Sequence, residues 1–274
     1  MVIAACSHHT PNDDAGTSQK TSFHKMSSIL KRIADTLFPQ ACVLCTRCLL
    51  GGEKLICSDC IQDFSPTDMH LIPPMSELTE EEKAAPGIMM ERLWGWARLE
   101  RAVAAYFYQQ ETMLSDAVGA MKYYHRQDVG RFLSRLMAEE VDAANTFSDI
   151  DAIIPVPLHP QREHERGYNQ ALLLAEGVAE ALGKPILNDA VIRVKYQGNQ
   201  ARMSHEQRAE NIRNAFTILH PEHITSVAKD ASTPPHILII DDVLTTGATI
   251  GTLCETLQKE LDIKLSALTL AVAR

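Results

Sequence analysis

The amino-acid sequence predicts an α/β fold in which helices flank a parallel sheet, with a small cysteine-bearing module ahead of it. Three observations carry this. Fully apolar runs such as Ile237–Ile240 and Leu265–Val272 alternate with stretches of helical periodicity, the pattern of strands buried on both faces. Five cysteines, Cys42, Cys45, Cys48, Cys57 and Cys60, crowd into one short segment. No apolar run approaches the roughly 20 residues that would span a bilayer.

Composition narrows the class further. The 274 residues include 26 Lys+Arg and 35 Asp+Glu, a formal charge of −9. A net-acidic chain has no bulk field for holding a polyphosphate backbone, so any nucleic-acid contact is local or is delivered by a partner. Seven cysteines, an odd and clustered set, point to a metal site in a reducing cytosol rather than a secreted disulfide framework. The opening Met1-Val-Ile-Ala-Ala-Cys6 lacks a basic flank and soon meets His8 and His9. An export signal is therefore not expected, and a cytoplasmic location is.

Each segment has its own reason. Residues 1–25, rich in Ser, Thr, Asp, Asn and His, offer little to bury and are predicted as a disordered tail. Residues 26–66 are expected to hold a helix and the cysteine module. Ile29, Ile33 and Leu37 recur at helical spacing after Ser27 and Ser28, and Pro39 stops the run. Met26 is a candidate start. Pro73, Pro74, Pro86 and the Glu80-Glu81-Glu82 run mark residues 67–93 as a linker.

Residues 94–274 should form the α/β domain. Ala102–Tyr108 reads as a strand, and Asp128–Val141 as a helix with Val129, Leu133 and Leu136 on one face. Ile150–Val156 is a short apolar strand. Asn169–Leu182 is a helix striped by Leu172, Ala175, Ala179 and Leu182 and stopped by Gly183. The strand Ile237–Ile240 leads to a helix striped by Ile250, Leu253, Leu257 and Leu261, and Leu265–Val272 closes the domain as a strand.

The cysteines fall into two C-x2-C pairs, Cys42/Cys45 and Cys57/Cys60. Each pair can form a knuckle presenting two thiolates, and four sulfurs suit tetrahedral Zn²⁺. Gly51-Gly52 permits the return that brings the knuckles together. Cys48 is the spare, because using it would break the paired pattern. With no open coordination position, the zinc is expected to be structural, holding a module too small for a core of its own.

The segment Ile237-Leu-Ile-Ile-Asp241-Asp242-Val243-Leu244-Thr245-Thr246-Gly247-Ala248-Thr249 carries the chemistry. A buried strand delivers two acids at its carboxyl end, where open α/β sheets place their ligands. A small, hydroxyl-rich turn then opens a helix. Gly247 lets the backbone approach a ligand, and the amides at the helix start converge as an anion nest. Acids beside a phosphate cradle fit a sugar phosphate better than a nucleoside triphosphate. No G-x-x-x-x-G-K-[ST] sequence occurs, which excludes a P-loop.

This segment resembles the 5-phosphoribosyl-1-pyrophosphate (PRPP) binding signature of type I phosphoribosyltransferases. The resemblance implies that Asp241 and Asp242 hold the ribose hydroxyls, directly or through Mg²⁺. It also implies that residues 245–249 cradle the 5-phosphate, with Val243 and Leu244 leading into that cradle. Two further blocks, Ile154–Gln170 and Gln200–Phe216, resemble the signature of the ComF family. Its members are competence-type proteins with an N-terminal zinc ribbon and a C-terminal type I phosphoribosyltransferase-like domain. The resemblance runs from about Met26 to the C-terminus. It implies Mg²⁺-dependent transfer of phosphoribosyl from PRPP to an unknown acceptor, linked to DNA uptake.

Transfer from PRPP calls for cations at the leaving pyrophosphate. Arg162 and Arg166 lie in the loop after the strand ending near Val156, where the resemblance places a pyrophosphate loop. Glu163 and Glu165 offer them surface partners instead. Gly167 permits close approach, and Asn169 is placed to cap the next helix. Arg193 and Lys195 stand at the entrance to a polar segment bearing Gln200, Arg202, Arg208 and Asn211. That segment is either a hood over substrate or an ordinary surface helix. Lys122 is a weaker candidate. Residues 151–215 hold eight Lys+Arg and eight Asp+Glu, so direct duplex DNA binding is not supported. Two functions stand side by side. One is a phosphoribosyltransferase. The other is a non-catalytic PRPP-sensing or scaffold module serving DNA uptake or recombination through competence or recombination proteins or single-stranded DNA.

Overall fold

The computed structural model describes residues 40–83, 87–195, 215–230 and 232–274. They fall into two units, one ending at Gln62 and the other spanning Asp63–Arg274. The expected tail and the helix after Met26 lie outside the described residues, as do Gln200, Arg202, Arg208 and Asn211.

In the first unit the chain doubles back around its cysteines. The Cys42 amide donates to the Arg47 carbonyl at 2.7 Å and the Thr46 amide to the Cys42 carbonyl at 2.9 Å, closing the first knuckle. The Val43 amide donates to the Leu55 carbonyl at 3.0 Å, which ties that knuckle to the second. Gly52 makes the return with φ 97°, a left-handed conformation that side chains resist. A short helix α1 (Ser58–Gln62) follows and buries Cys60.

The second unit is built on strands β1 (Ser65–Pro66), β2 (Arg101–Tyr108), β3 (Ala152–Pro155), β4 (Val191–Arg193), β5 (Phe216–Ile218), β6 (His236–Leu244) and β7 (Lys264–Ala273). Its helices are α2 (Glu80–Lys83), α3 (Ile88–Leu93), α4 (Met113–Tyr123), α5 (Gln127–Glu140), α6 (Ala143–Thr146), α7 (Pro160–Arg166), α8 (Gln170–Leu182), α9 (Pro221–Thr225) and α10 (Ala248–Glu260). The main sheet runs β1-β2-β7-β6-β3, with β2, β7, β6 and β3 parallel and only β1 antiparallel. β4 and β5 form a separate antiparallel pair. Ile237–Ile240 and Leu265–Val272 are buried at every position, so both sheet faces are covered. No helix among the described residues is long and apolar enough to cross a membrane.

The sheet's margins are short or covered. β1 is two residues ending in proline. Beyond β3, the Ile153 amide donates to the Pro185 carbonyl and the Leu187 amide returns to the Ile153 carbonyl.

Three sequence expectations shift. Residues 67–93, expected as a linker, include α2 and α3 and bury Met69, Met89 and Leu93, because the segments that carry them pack on β2. The buried face of α8 is Ala171, Leu173, Leu174, Ala175 and Val178, and Leu172 and Ala179 are only half-buried. That helix packs on α5 as well as on β3 and β6, so its apolar arc is wider and rotated. Likewise Leu136 is half-buried, and Met137 takes its place beside Leu133 in the core.

Candidate functional site

The four paired cysteines come together. Cys42 Sγ lies 3.8 Å from Cys60 Sγ, and Cys45 Sγ 3.6 Å from Cys57 Sγ. All four sulfurs lie within 4.8 Å of one another, and Cys48 is outside the group. A tetrahedron of Zn–S bonds of about 2.3 Å has S···S edges of about 3.8 Å, close to the two short separations here, so this donor set is compatible with Zn²⁺. Its second layer centres on Glu53, which accepts from the Leu50 amide at 2.7 Å, the Ser58 amide at 2.8 Å and Arg47 Nη2 at 2.9 Å. The two amides and then Arg47 hold the Glu53 carboxyl down at about 2. Burial pushes the Cys57 thiol up, but the Cys60 amide and Arg47 outweigh it and bring that thiol down to about 6, whereas burial drives the neighbouring Cys60 thiol up. Glu53 carried no sequence signal, since its partners are set by the fold.

The second site opens at the carboxyl edge of the sheet. β6 runs four residues past its apolar core, so both acids are strand residues and not part of a following turn. β3 ends at Pro155, paired with Ile240, whereas on the other side Asp241 still pairs with Thr269 of β7. The shorter strand leaves a notch beside the acids. Asp241 Oδ1 accepts from the Asp242 amide at 2.8 Å, which ties the Asp241 carboxylate to the strand backbone.

The notch is the floor of a cavity of about 350 Å³ lined by Asp241, Asp242, Lys122, Arg162, Arg166, Arg193 and Thr249, with Asn169 and Gln170 in its wall. Four cations thus face two acids. Lys122 Nζ sits 2.9 Å from Asp242 Oδ2, with side chains 20% and 13% exposed. Burial works against the Lys122 charge, but the facing Asp242 outweighs it and holds the ammonium above its ordinary pKa. Burial, then Asp242 beside it, pushes the Asp241 carboxyl up to about 7, against the pull of Lys122 and Arg193. Burial also lowers Arg193, whose guanidinium lies 5.5 Å over the Phe216 ring.

Residues 160–166, expected as a loop, form α7 instead. Pro160 supplies its fixed φ at the first turn, His159 Nδ1 accepts from the Gln161 amide at 3.2 Å, and Gly167 ends the helix with φ 78°. Arg162 lies 3.7 Å from Glu165, one of the surface partners foreseen for it, while still lining the cavity. Arg166 turns from the glutamates to Gln170 Oε1, at 2.8 Å, and sits 6.0 Å over the ring of Tyr123. The Asn169 side chain caps α8 by accepting from the Ala171 amide at 3.0 Å.

The turn after β6 contributes only in part to the wall of this cavity. Of residues 245–249 only Thr249 lines the cavity; Thr245 and Thr246 are exposed, and Ala248 and Lys195 do not reach its wall. Gly247 has φ 79°, and a Cβ there would fall 2.5 Å from the Arg92 carbonyl oxygen. The close approach that demands glycine is therefore to the chain's own backbone. Arg92 Nη1 in turn donates to the Leu244 carbonyl at 3.3 Å, and a Cβ on Gly251 would run into the Trp96 indole.

No family model matches the chain. It is 34% identical over 149 residues to Competence protein F of Haemophilus influenzae, covering 53% of this chain and 62% of that one. To the DNA utilization protein YhgH of Escherichia coli K12 it is 30% identical over 222 residues, 80% of this chain and 91% of that protein. Competence protein ComFC of Bacillus subtilis is 24% identical over 234 residues, 83% of this chain and 86% of its own.

Proposed function

This chain belongs to the ComF family, and from that premise we propose that its cavity binds PRPP and that the protein serves competence and DNA utilisation, the roles its relatives are named for. One observation carries the ligand: paired carboxylates and four cations share a cavity at the carboxyl edge of a parallel sheet. Hydroxyl groups of a ribose suit Asp241 and Asp242 as acceptors. Phosphate and pyrophosphate oxygens suit Lys122, Arg162, Arg166 and Arg193. Asp241 and Asp242 would also hold Mg²⁺, which neutralises charge on the phosphates.

In phosphoribosyl transfer the bond from C1 of the ribose to the pyrophosphate oxygen breaks and a bond from C1 to the acceptor forms. The electron pair leaves with pyrophosphate. Arginines fixed by short contacts, such as Arg166 on Gln170, can meet that charge without reorganising. The four cysteines are assigned to structural zinc, remote from this chemistry in kind. A second reading, PRPP sensing without turnover, draws on the relatives' names, which speak of competence and DNA use.

Calorimetry with PRPP and Mg²⁺ tests the cavity. Binding by the unaltered protein and its loss in Asp241→Asn/Asp242→Asn are expected; equal binding by both removes the assignment. A pyrophosphate-release screen over nucleobases and small amines then separates the readings. Release with one acceptor marks a transferase, and binding without release marks a sensor.

A further inference from the structure

We propose that Lys122 is a resident counter-ion that closes the Asp241/Asp242 pair to a free divalent cation and opens it when a phosphorylated ligand draws the ammonium away. This rests on the PRPP reading of the cavity, and it adds an order of events which that reading lacks. Lys122 comes from the last turn of α4, and Asp242 from β6, so only the fold brings them to 2.9 Å. Both side chains are largely buried, so their attraction is screened far less than at a surface. Arg193, Arg162 and Arg166 line the same cavity as the acids. A bare cation entering there meets four positive groups and two carboxylates already engaged.

A phosphorylated ligand changes that balance. It brings acceptor oxygens for the ammonium and charge for the arginines, so Asp242 is released to face the ligand's hydroxyls or a cation that enters with it. Cation and ligand then bind together, and the cation alone does not. In helical terms the placement is economical: Tyr168 donates its hydroxyl hydrogen to the Met121 carbonyl, anchoring the residue just before Lys122, so the ammonium is held from a fixed backbone.

The test is Mn²⁺ binding to the full chain, read by the loss of the free-ion resonance at pH 8 without PRPP. The unaltered protein should show no site that Asp242→Asn removes, a control that separates the acid pair from the cysteine cluster. Lys122→Met should gain one Mn²⁺ per chain, bound at least roughly tenfold more tightly, as expected when one close positive charge is withdrawn from a partly buried site. That site should vanish in Lys122→Met/Asp242→Asn, and Lys122→Arg, which keeps the charge, should behave like the parent. If circular dichroism shows Lys122→Met unfolded, Lys122→Gln carries the same expectation. A Mn²⁺ site at the acid pair of the unaltered protein, or no gain in the folded neutral variant, overturns the proposal. Titrating PRPP with Mn²⁺ into the parent keeps the two ideas apart. Absence of PRPP binding there refutes the cavity's ligand, whereas the Mn²⁺ gain in the variant reports on Lys122 alone.

Discussion

Replacing Gly247 by alanine measures how firmly the turn after β6 is held by the chain itself. Two costs apply at this position. An L-residue at φ 79° loses about 1–2 kcal/mol relative to glycine. The new Cβ would also lie 2.5 Å from the Arg92 carbonyl oxygen, a backbone atom that cannot swing aside, and overpacking of that kind costs about 1–3 kcal/mol. Gly183 supplies the control, since its φ is 62° but nothing lies within 4 Å of the Cβ it would carry. Gly183→Ala should therefore lose only the conformational part. The expected totals are about 2–5 kcal/mol for Gly247→Ala against about 1–2 for Gly183→Ala. For a unit of this size that means roughly 4–20 °C against roughly 2–8 °C in Tm. The chain's two tryptophans, Trp94 and Trp96, both lie in this unit, so fluorescence-detected unfolding follows it. Equal losses in the two variants would refute the idea that Arg92 presses on the turn.

Other outcomes follow from the same contacts. An unfolded Asp titrates near about 4, and Asp241 in the fold near about 7. Between those values the folded state keeps a proton that the unfolded chain has lost, so stability falls as pH rises through this window. Asp241→Asn should flatten that part of the pH–stability curve, and an unchanged slope contradicts the assignment. Elemental analysis should find one zinc per chain and none in Cys45→Ser; a metal-free, folded parent would end the zinc assignment. Tyr168→Phe removes the hydroxyl bonded to the Met121 carbonyl and should cost about 1–2 kcal/mol in denaturant unfolding, with no loss contradicting the buried bond.

Much of this molecule was legible as local pattern. The strand and helix around Asp241 and Asp242 announced themselves through a uniform apolar run and a glycine, and the cysteine pairs through spacing that only their sulfurs explain. Gly183 and Asn169 sit at the helix ends foreseen for them. What stayed hidden depends on residues far apart in the chain. Lys122 gained its importance from an acid 120 positions later, and its own Met-Lys-Tyr-Tyr setting gave no hint of that. The glycine at 247 was legible as a need for close approach, but sequence cannot show that Arg92 is one of the groups approaching it. Residues 67–93 looked like a linker because prolines and glutamates outweighed the apolar residues among them, of which Met69, Met89 and Leu93 are buried.

The two margins of the main sheet have a consequence for how copies of this chain meet. An outer strand with a free row of amides and carbonyls invites a neighbour to add to it. Here one margin is a stub of two residues closed by proline, and the other is already bonded to the stretch around Pro185–Leu187. Among the described residues, the two flanks therefore offer newly made chains only short or partly occupied ladders to extend.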